Sequence, residues 1–119
     1  MALHSELPIY RDTYDLLTKL VQITRNIPRE FKRLIGEEMR SECVKMTVLI
    51  FRANVATDKV PYIQEIRERV QVVELMLRMS VDMRWISPKH YSTAVLLTQS
   101  IGKQATGWKQ YNSKGSPAA

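Results

Sequence analysis

The sequence has few of the residues that build disulfide-bonded or turn-rich domains. Its 119 residues include one cysteine, four glycines and five prolines. A single cysteine, Cys43, cannot form an internal disulfide, so the chain suits a reducing compartment. Because glycine and proline punctuate turns, their scarcity favours a few long elements over many short strands.

The residues that metal and catalytic sites require are also scarce. The two histidines are His4 and His90, and neither follows a glutamate at the Glu-x-x-His spacing of di-iron helical bundles. The sequence contains no glycine-rich phosphate loop and no nucleophile elbow. Cys43 lies on an apolar stripe, where we expect a buried and inert thiol. We therefore predict no metal, no cofactor and no catalytic activity.

Long apolar runs are missing as well. No segment approaches the roughly 20 uninterrupted apolar residues that cross a bilayer. The first ten residues, MALHSELPIY, do not contain the apolar run of a signal peptide. We therefore expect a soluble, cytoplasmic protein without a membrane partner.

Positive charge is in excess. Lysine and arginine number 18 against 12 acidic residues, which gives a net charge of +6 and a pI near 9.7. Such a surface attracts polyanions, of which nucleic acid is one class. The alternative is a basic protein that has no anionic partner.

Apolar residues recur at three- and four-residue steps, which predicts an all-α fold. Short, proline-marked breaks between the helical stretches favour an antiparallel up-down-up-down four-helix bundle over residues 9–111. We expect residues 1–8 to be flexible and residues 112–119 to form a disordered tail. The predicted helices run from about Ile9 to Asn26, Pro28 to Val55, Pro61 to Trp85 and Pro88 to Gln110.

The second and third predicted helices carry apolar residues on two sides. One chain of this size has little mass left to cover both sides, so we infer that copies of the chain associate. The residues predicted to form this subunit interface lie on the outer stripes, and they are Val44, Val48, Phe51, Val55, Val72, Met76, Met79 and Met83.

Basic residues cluster about the first interhelical turn and recur on the third and fourth helices. Long cationic side chains can neutralise successive phosphates. The alternative is structural, because Glu30, Glu37 and Glu38 could pair with the first cluster, and Glu65 and Glu74 with arginines four residues later. Aromatic residues do not interleave with the cations, so we expect binding that follows charge and shape. The candidate binding residues are Arg25, Arg29, Lys32, Arg33, Arg40, Arg67, Arg78, Lys103 and Lys109.

Three stretches together resemble a known family. They are IGKQATGWK from Ile101 to Lys109, IPREFKRLIGE from Ile27 to Glu37, and the segment Ile66–Ile86. The chain is similar, over most of its length, to the accessory variability determinant (Avd) proteins of diversity-generating retroelements. Those proteins are a branch of a wider four-helix-bundle family. In the family motifs a phenylalanine stands at the position of Ile27 and a second glycine at that of Thr106.

The resemblance implies a basic homopentameric barrel of four-helix bundles. Such a protein partners the retroelement's reverse transcriptase, binds RNA and DNA without sequence preference, and supports mutagenic copying of the template RNA. The basic residues named above would then contact nucleic acid or the polymerase. Gly102, Gly107 and Trp108 carry the closing family motif, and Trp108 is either a core cap or an anchor for a partner. Two alternatives are a structural bundle of the ribosomal-RNA-insert type without a polymerase partner, and a small enzyme with a site between subunits.

Overall fold

The structure is a computed structural model that describes residues 3–115, and this part of the chain is all-helical. A π-helical turn, Lys32–Gly36, joins the second α-helical segment to the third, and 3₁₀ turns occupy His4–Glu6 and Thr24–Asn26. The prediction of an all-α protein is confirmed for these residues. The α-helices are α1 (Pro8–Ile23), α2 (Arg29–Phe31), α3 (Glu37–Val55), α4 (Val60–Asp82) and α5 (Pro88–Gly115).

Prolines mark the helix starts, as the sequence indicates. Pro8 is the first residue of α1, and Pro61 lies in the first turn of α4, where a missing N–H costs nothing. Pro28 caps α2 in an extended conformation. Before Pro88, the Ser87 hydroxyl accepts a 3.1 Å hydrogen bond from the backbone N–H of His90 and so caps α5.

Two different devices end α3 and α4. The Lys59 ammonium donates to the carbonyls of Ala53, Asn54 and Ala56, each at 2.9 Å, and so satisfies the carbonyl end of α3. After α4, Arg84 adopts a left-handed conformation with φ of 62°. The N–H of Trp85 bonds to the Ser80 carbonyl at 2.9 Å, which completes a Schellman motif around a non-glycine residue.

The long helices pack around one apolar core. α1 and α4 each contact both α3 and α5, so every long helix has two neighbours. The polar Thr13, Thr24 and Ser80 are buried without penalty because each hydroxyl donates to the carbonyl four residues earlier. The largest fully buried apolar side chains are Leu16, Leu20, Met39, Met46, Ile50, Ile63, Ile66, Val73, Leu77 and Ile101.

The ends of the bundle differ from the predicted boundaries. His4 belongs to a 3₁₀ turn, and its ring packs edge-on against Tyr10 and Phe51 at centroid distances of 5.3 and 5.0 Å. The last helix continues to Gly115, where the sequence suggests a disordered tail from Asn112. The Asn112 amide supports this extension by donating to the Trp108 carbonyl at 2.8 Å. Residues 1–2 and 116–119 lie outside the described residues.

Within residues 3–115, no helix combines the length and the apolarity that crossing a membrane requires.

Candidate nucleic-acid and subunit interfaces

The first group of candidate cations lies where the chain enters the second long helix. Arg29, Lys32 and Arg33 are all exposed, and together with Glu30 and Glu37 they line a cleft of about 770 Å³. We call Arg29, Lys32 and Arg33 the α2 basic patch. Arg25 is exposed in the preceding 3₁₀ turn, so it lies near the patch in the chain.

Apolar anchors hold the backbone beneath the α2 basic patch. Ile27 is only 2% exposed, and the Phe31 ring stacks on Trp85 at a centroid distance of 4.9 Å. Trp85 follows α4, so this stacking attaches the start of α2 to the α4–α5 connection. The cations therefore project from a backbone that the core positions.

Arg40 does not share the exposed face of Arg29 and Arg33, contrary to the prediction from helical spacing. The π-helical turn contains Arg33 and precedes Arg40. Because it holds more residues per turn than an α-helix, it changes the direction in which the residues after it project. Arg40 is half-buried, and its Nη1 donates to the Thr24 hydroxyl at 2.8 Å. Gly36, the last residue of the π turn, leaves space beside this guanidinium, 3.4 Å from where a Cβ would lie.

The α2 basic patch keeps its charge available. Among the described residues, the ion pairs involve Lys45, Arg69 and Arg78 as the cations, and not the three residues of the patch. Glu30 and Glu37 share the cleft without forming an ion pair there. The structural alternative, in which glutamates neutralise this cluster, therefore has no support in the side-chain geometry.

The second group lies between α4 and α5. The Nη1 of Arg67 and the ammonium of Lys109 both donate to the side-chain oxygen of Gln64, at 3.0 and 2.9 Å. Lys103 is exposed nearby and lines a groove of about 580 Å³ together with Arg67. Arg67 and Lys109 lie 42 residues apart in sequence, so helix packing alone brings them together.

Arg78 belongs to neither group. It is exposed, and its Nε donates to both carboxylate oxygens of Asp82 at 3.2 Å. This hydrogen bond is the largest cause that raises the pKa of Arg78, and the negative charge of Asp82 is the second. The sequence suggests Glu74 as the partner, and the structure gives Asp82 instead, which also follows the four-residue spacing.

Sequence reasoning missed a buried ion pair between α3 and α4. Glu42 is 2% exposed and accepts hydrogen bonds from Arg69 Nη1 at 3.2 Å to both carboxylate oxygens. Arg69 also bonds Glu65 at 3.2 Å, which confirms that predicted i,i+4 pair. The signal for Glu42 was present, because it directly precedes Cys43 on the apolar side of α3.

The predicted subunit interface falls into an exposed part and a half-buried part. On α3, Val44, Val48, Phe51 and Val55 are between 43% and 56% exposed. Met79 on α4 is 40% exposed and Met83, directly after α4, is 54% exposed, whereas Val72 and Met76 on α4 are half-buried. Exposure of several large apolar residues on one helical stripe is unusual for a lone chain and typical of a contact surface.

The three motif residues have different surroundings. A Cβ added at Gly102 or Gly107 would meet no atom within 4 Å, so the described part of the chain imposes no steric need for glycine at either position. Trp108 is half-buried and packs against the core. This contact favours the core-capping interpretation of Trp108.

Cys43 is fully buried, and burial raises the pKa of its thiol to about 12, with a smaller contribution from Glu42. A thiol with so high a pKa is a poor nucleophile. The described residues contain no group of three or more histidine, cysteine, aspartate or glutamate side chains placed to hold a metal ion.

Comparison with known proteins gives one informative result. A family model described as bAvd-like matches residues 7–112, which is most of the chain and includes α1 to α5 except the last three residues of α5. Searches of curated proteins and of solved structures returned no significant match. Avd-like proteins are an accessory, non-catalytic family. The chain, with its all-helical bundle and its basic and apolar surfaces, therefore belongs to the bAvd-like family.

Proposed function

We propose that this protein is a non-catalytic accessory factor of a diversity-generating retroelement, which associates with the reverse transcriptase and binds RNA and DNA through basic surfaces. Family membership supports the retroelement role. The main support for nucleic-acid binding is the α2 basic patch. Its three cations are exposed, closely spaced and free of ion pairs within the described residues. A cytoplasmic location follows from this role.

Binding through the α2 basic patch should depend strongly on salt and weakly on base sequence. Each phosphate that a cation neutralises releases counterions, which adds about −0.7 to the slope of log K against log salt for a single strand and about −0.9 for a duplex. If Arg29, Lys32 and Arg33 each neutralise one phosphate, replacing all three by glutamine should make the slope less steep by about 2 to 3.

The test measures oligonucleotide binding by fluorescence anisotropy over a range of salt concentrations, with RNA and DNA of unrelated sequence. The matched control replaces three exposed cations elsewhere, Arg11, Arg52 and Lys89, by glutamine. This control makes the same change in net charge. Equal slopes for the two triple variants would show that net charge, and not the α2 basic patch, determines binding.

We also propose that the bundle runs up-down-up-down and that five copies form a closed ring. Short connections, residues 56–59 and 83–87, support antiparallel neighbours. The Gln64–Lys109 hydrogen bond supports the same course, because it joins the start of α4 to the end of α5. The exposed stripe Val44, Val48 and Phe51 supports self-association, since burial of apolar area is the main driving force for it.

Native mass spectrometry tests the ring. Phe51→Glu should dissociate it, because a charge placed in an apolar contact is expensive. Leu96→Glu is the matched control, since Leu96 is 68% exposed on α5, outside the predicted contact stripe. Both variants should keep the helical circular dichroism of the parent. A parent protein that is monomeric at micromolar concentration would contradict the proposed assembly.

Association with the polymerase is tested by co-purifying the chain with a reverse transcriptase of a diversity-generating retroelement, with and without nuclease treatment. Complex formation that survives nuclease supports direct contact. A chain that binds nucleic acid but never the polymerase would contradict the retroelement role and favour the structural bundle of the ribosomal-RNA-insert type.

A further inference from the structure

Two cations from different helices converge on one neutral oxygen. Arg67 on α4 and Lys109 on α5 donate to Gln64 Oε1 at 3.0 and 2.9 Å. Because both reach one atom, their charged nitrogens lie within about 6 Å of each other, where like charges repel appreciably. Both side chains are half-buried, which weakens the screening of that repulsion by water.

Within the described part of the chain, no carboxylate lies within ion-pair distance of either cation. The ion pairs there involve neither Arg67 nor Lys109. The Gln64 amide oxygen is a hydrogen-bond acceptor without net charge, so it positions the two cations but does not neutralise them. Arg67 and Lys109 are therefore available to bind an anion from outside the chain.

A small pocket opens at this point. It has a volume of about 280 Å³ and is lined by Arg67, Thr106, Lys109, Gln110 and Ser113. Each of these five side chains carries at least one hydrogen-bond donor, and none is acidic. Donors that come from two helices and five side chains suit a ligand with several acceptor oxygens.

We propose that this pocket binds a phosphate group. A phosphate has more acceptor oxygens than a carboxylate, and arginine and lysine are the residues that bind it most often. Gln64 is a positioning residue that holds the two cations at the pocket in the absence of the ligand. The proposal adds a discrete site to the proposed function and relies on that function only for the source of the phosphate when the source is nucleic acid.

The pocket continues into a longer groove, which bears on that source. The 580 Å³ groove between α4 and α5 shares Arg67, Thr106 and Gln110 with the pocket. It is also lined by one further cation, Lys103, and by one carboxylate, Glu74. Gly102 and Gly107 also line it, and a Cβ at either position would meet no atom within 4 Å. A phosphodiester chain could therefore continue from the pocket along the groove, whereas free phosphate would occupy the pocket alone.

The experiment titrates the full chain with inorganic phosphate and follows backbone amide shifts by NMR. We expect saturable shifts centred on Thr106, Gln110 and Ser113. Lys109→Gln and Arg67→Gln should each weaken phosphate binding by at least tenfold, whereas the charge-matched Lys89→Gln, on α5 but outside the pocket, should change it less than twofold. Unchanged circular dichroism shows that each variant is folded.

A second arm uses an oligonucleotide without a terminal phosphate. If its phosphodiesters occupy the pocket, inorganic phosphate will compete with it and Lys109→Gln will weaken both ligands. If free phosphate is the ligand, only the phosphate titration will respond to Lys109→Gln. Either result supports a phosphate site. Comparison of the two titrations shows whether the bound phosphate belongs to nucleic acid or is free.

Two outcomes would overturn the site. One is the absence of saturable phosphate shifts at the pocket, and the other is an equal loss of phosphate binding in Lys109→Gln and Lys89→Gln. The proposed function fails separately, because glutamine at Arg29, Lys32 and Arg33 tests nucleic-acid binding at the α2 basic patch without altering the pocket.

Discussion

Removing the guanidinium of Arg69 should destabilise the protein more than any other single charge removal on α4. Arg69→Met keeps an unbranched apolar stem in place of the arginine methylenes but leaves Glu42 without its main partner. The Glu42 side chain is 3% exposed, so its carboxylate has little access to water. Breaking a buried ion pair by removing one partner typically costs about 3–5 kcal/mol.

The structure lowers this figure for two reasons. The Lys45 ammonium lies 3.6 Å from Glu42 and keeps part of the compensation. Arg69 itself is 31% exposed, so water can enter the space left by the guanidinium and solvate Glu42. We therefore expect a loss of about 2–3 kcal/mol in the free energy of unfolding, or a decrease in Tm of about 8–12 °C for a domain of this size.

A double-mutant cycle isolates the interaction. Removing both charges, as Glu42→Met with Arg69→Met, should restore most of the stability, because apolar replacements of a buried pair are often neutral. The cycle should give a coupling energy of about 2 kcal/mol. The measurement is urea unfolding followed by circular dichroism at one protein concentration, since association alters apparent stability.

The pair's proposed role would be refuted by either of two results. In the first, Arg69→Met costs less than about 0.5 kcal/mol, which is the range of ordinary surface substitutions. In the second, the double variant is no more stable than Arg69→Met. The second result would show that Glu42 tolerates burial without a partner and that packing, not charge, accounts for the effect of Arg69.

Three further predictions concern single positions. The unfolded Cys43 thiol ionises near its ordinary pKa of 9.0 and the folded thiol only near 12, so the free energy of unfolding should fall as pH rises through this interval. The expected fall is about 1.4 kcal/mol between pH 8 and 10, and Cys43→Ala should abolish that part of the slope. Arg84→Gly should stabilise the fold by about 0.5–1 kcal/mol, since its φ of 62° is unstrained for glycine; thermal unfolding measures the gain. Gly102→Ala should add up to about 1 kcal/mol of helix stability, because the new methyl group meets no atom within 4 Å, and the same measurement applies.

Each of these three has a contrary outcome. A pH slope that persists unchanged in Cys43→Ala would assign it to other titrating groups. A loss of stability in Arg84→Gly would mean that the arginine side chain contributes more than its backbone strain costs. A loss in Gly102→Ala would indicate that another surface, such as a second copy of the chain, occupies the space beside α5.

The local features of the fold could be predicted from the sequence. Pro28, Pro61 and Ser87-Pro88 mark helix starts, because proline restricts backbone angles wherever it occurs. The spacing of apolar residues identified the core face of each long helix, and it also identified the second apolar stripe on α3 that the single chain leaves exposed. These features depend on residues within one or two helical turns.

The tertiary structure decided which side chains meet. The π-helical turn moved Arg40 from the basic face to Thr24, and nothing in the spacing of Arg29, Arg33 and Arg40 indicated it. Arg78 forms an ion pair with Asp82 and not with Glu74, although both lie four residues away. Which partner a side chain contacts depends on its rotamer and on the neighbouring helices.

Arg67 and Lys109 show most clearly what the sequence determines and what only the tertiary structure determines. The sequence by itself determined that Arg67 and Lys109 are on helices and that the chain is basic. Only the packing of α4 against α5 placed both on Gln64, because the free energy of bringing them together comes from the apolar core beneath and not from the charges. Periodicity reports which face of a helix is buried, whereas a binding site depends on the distances between helices.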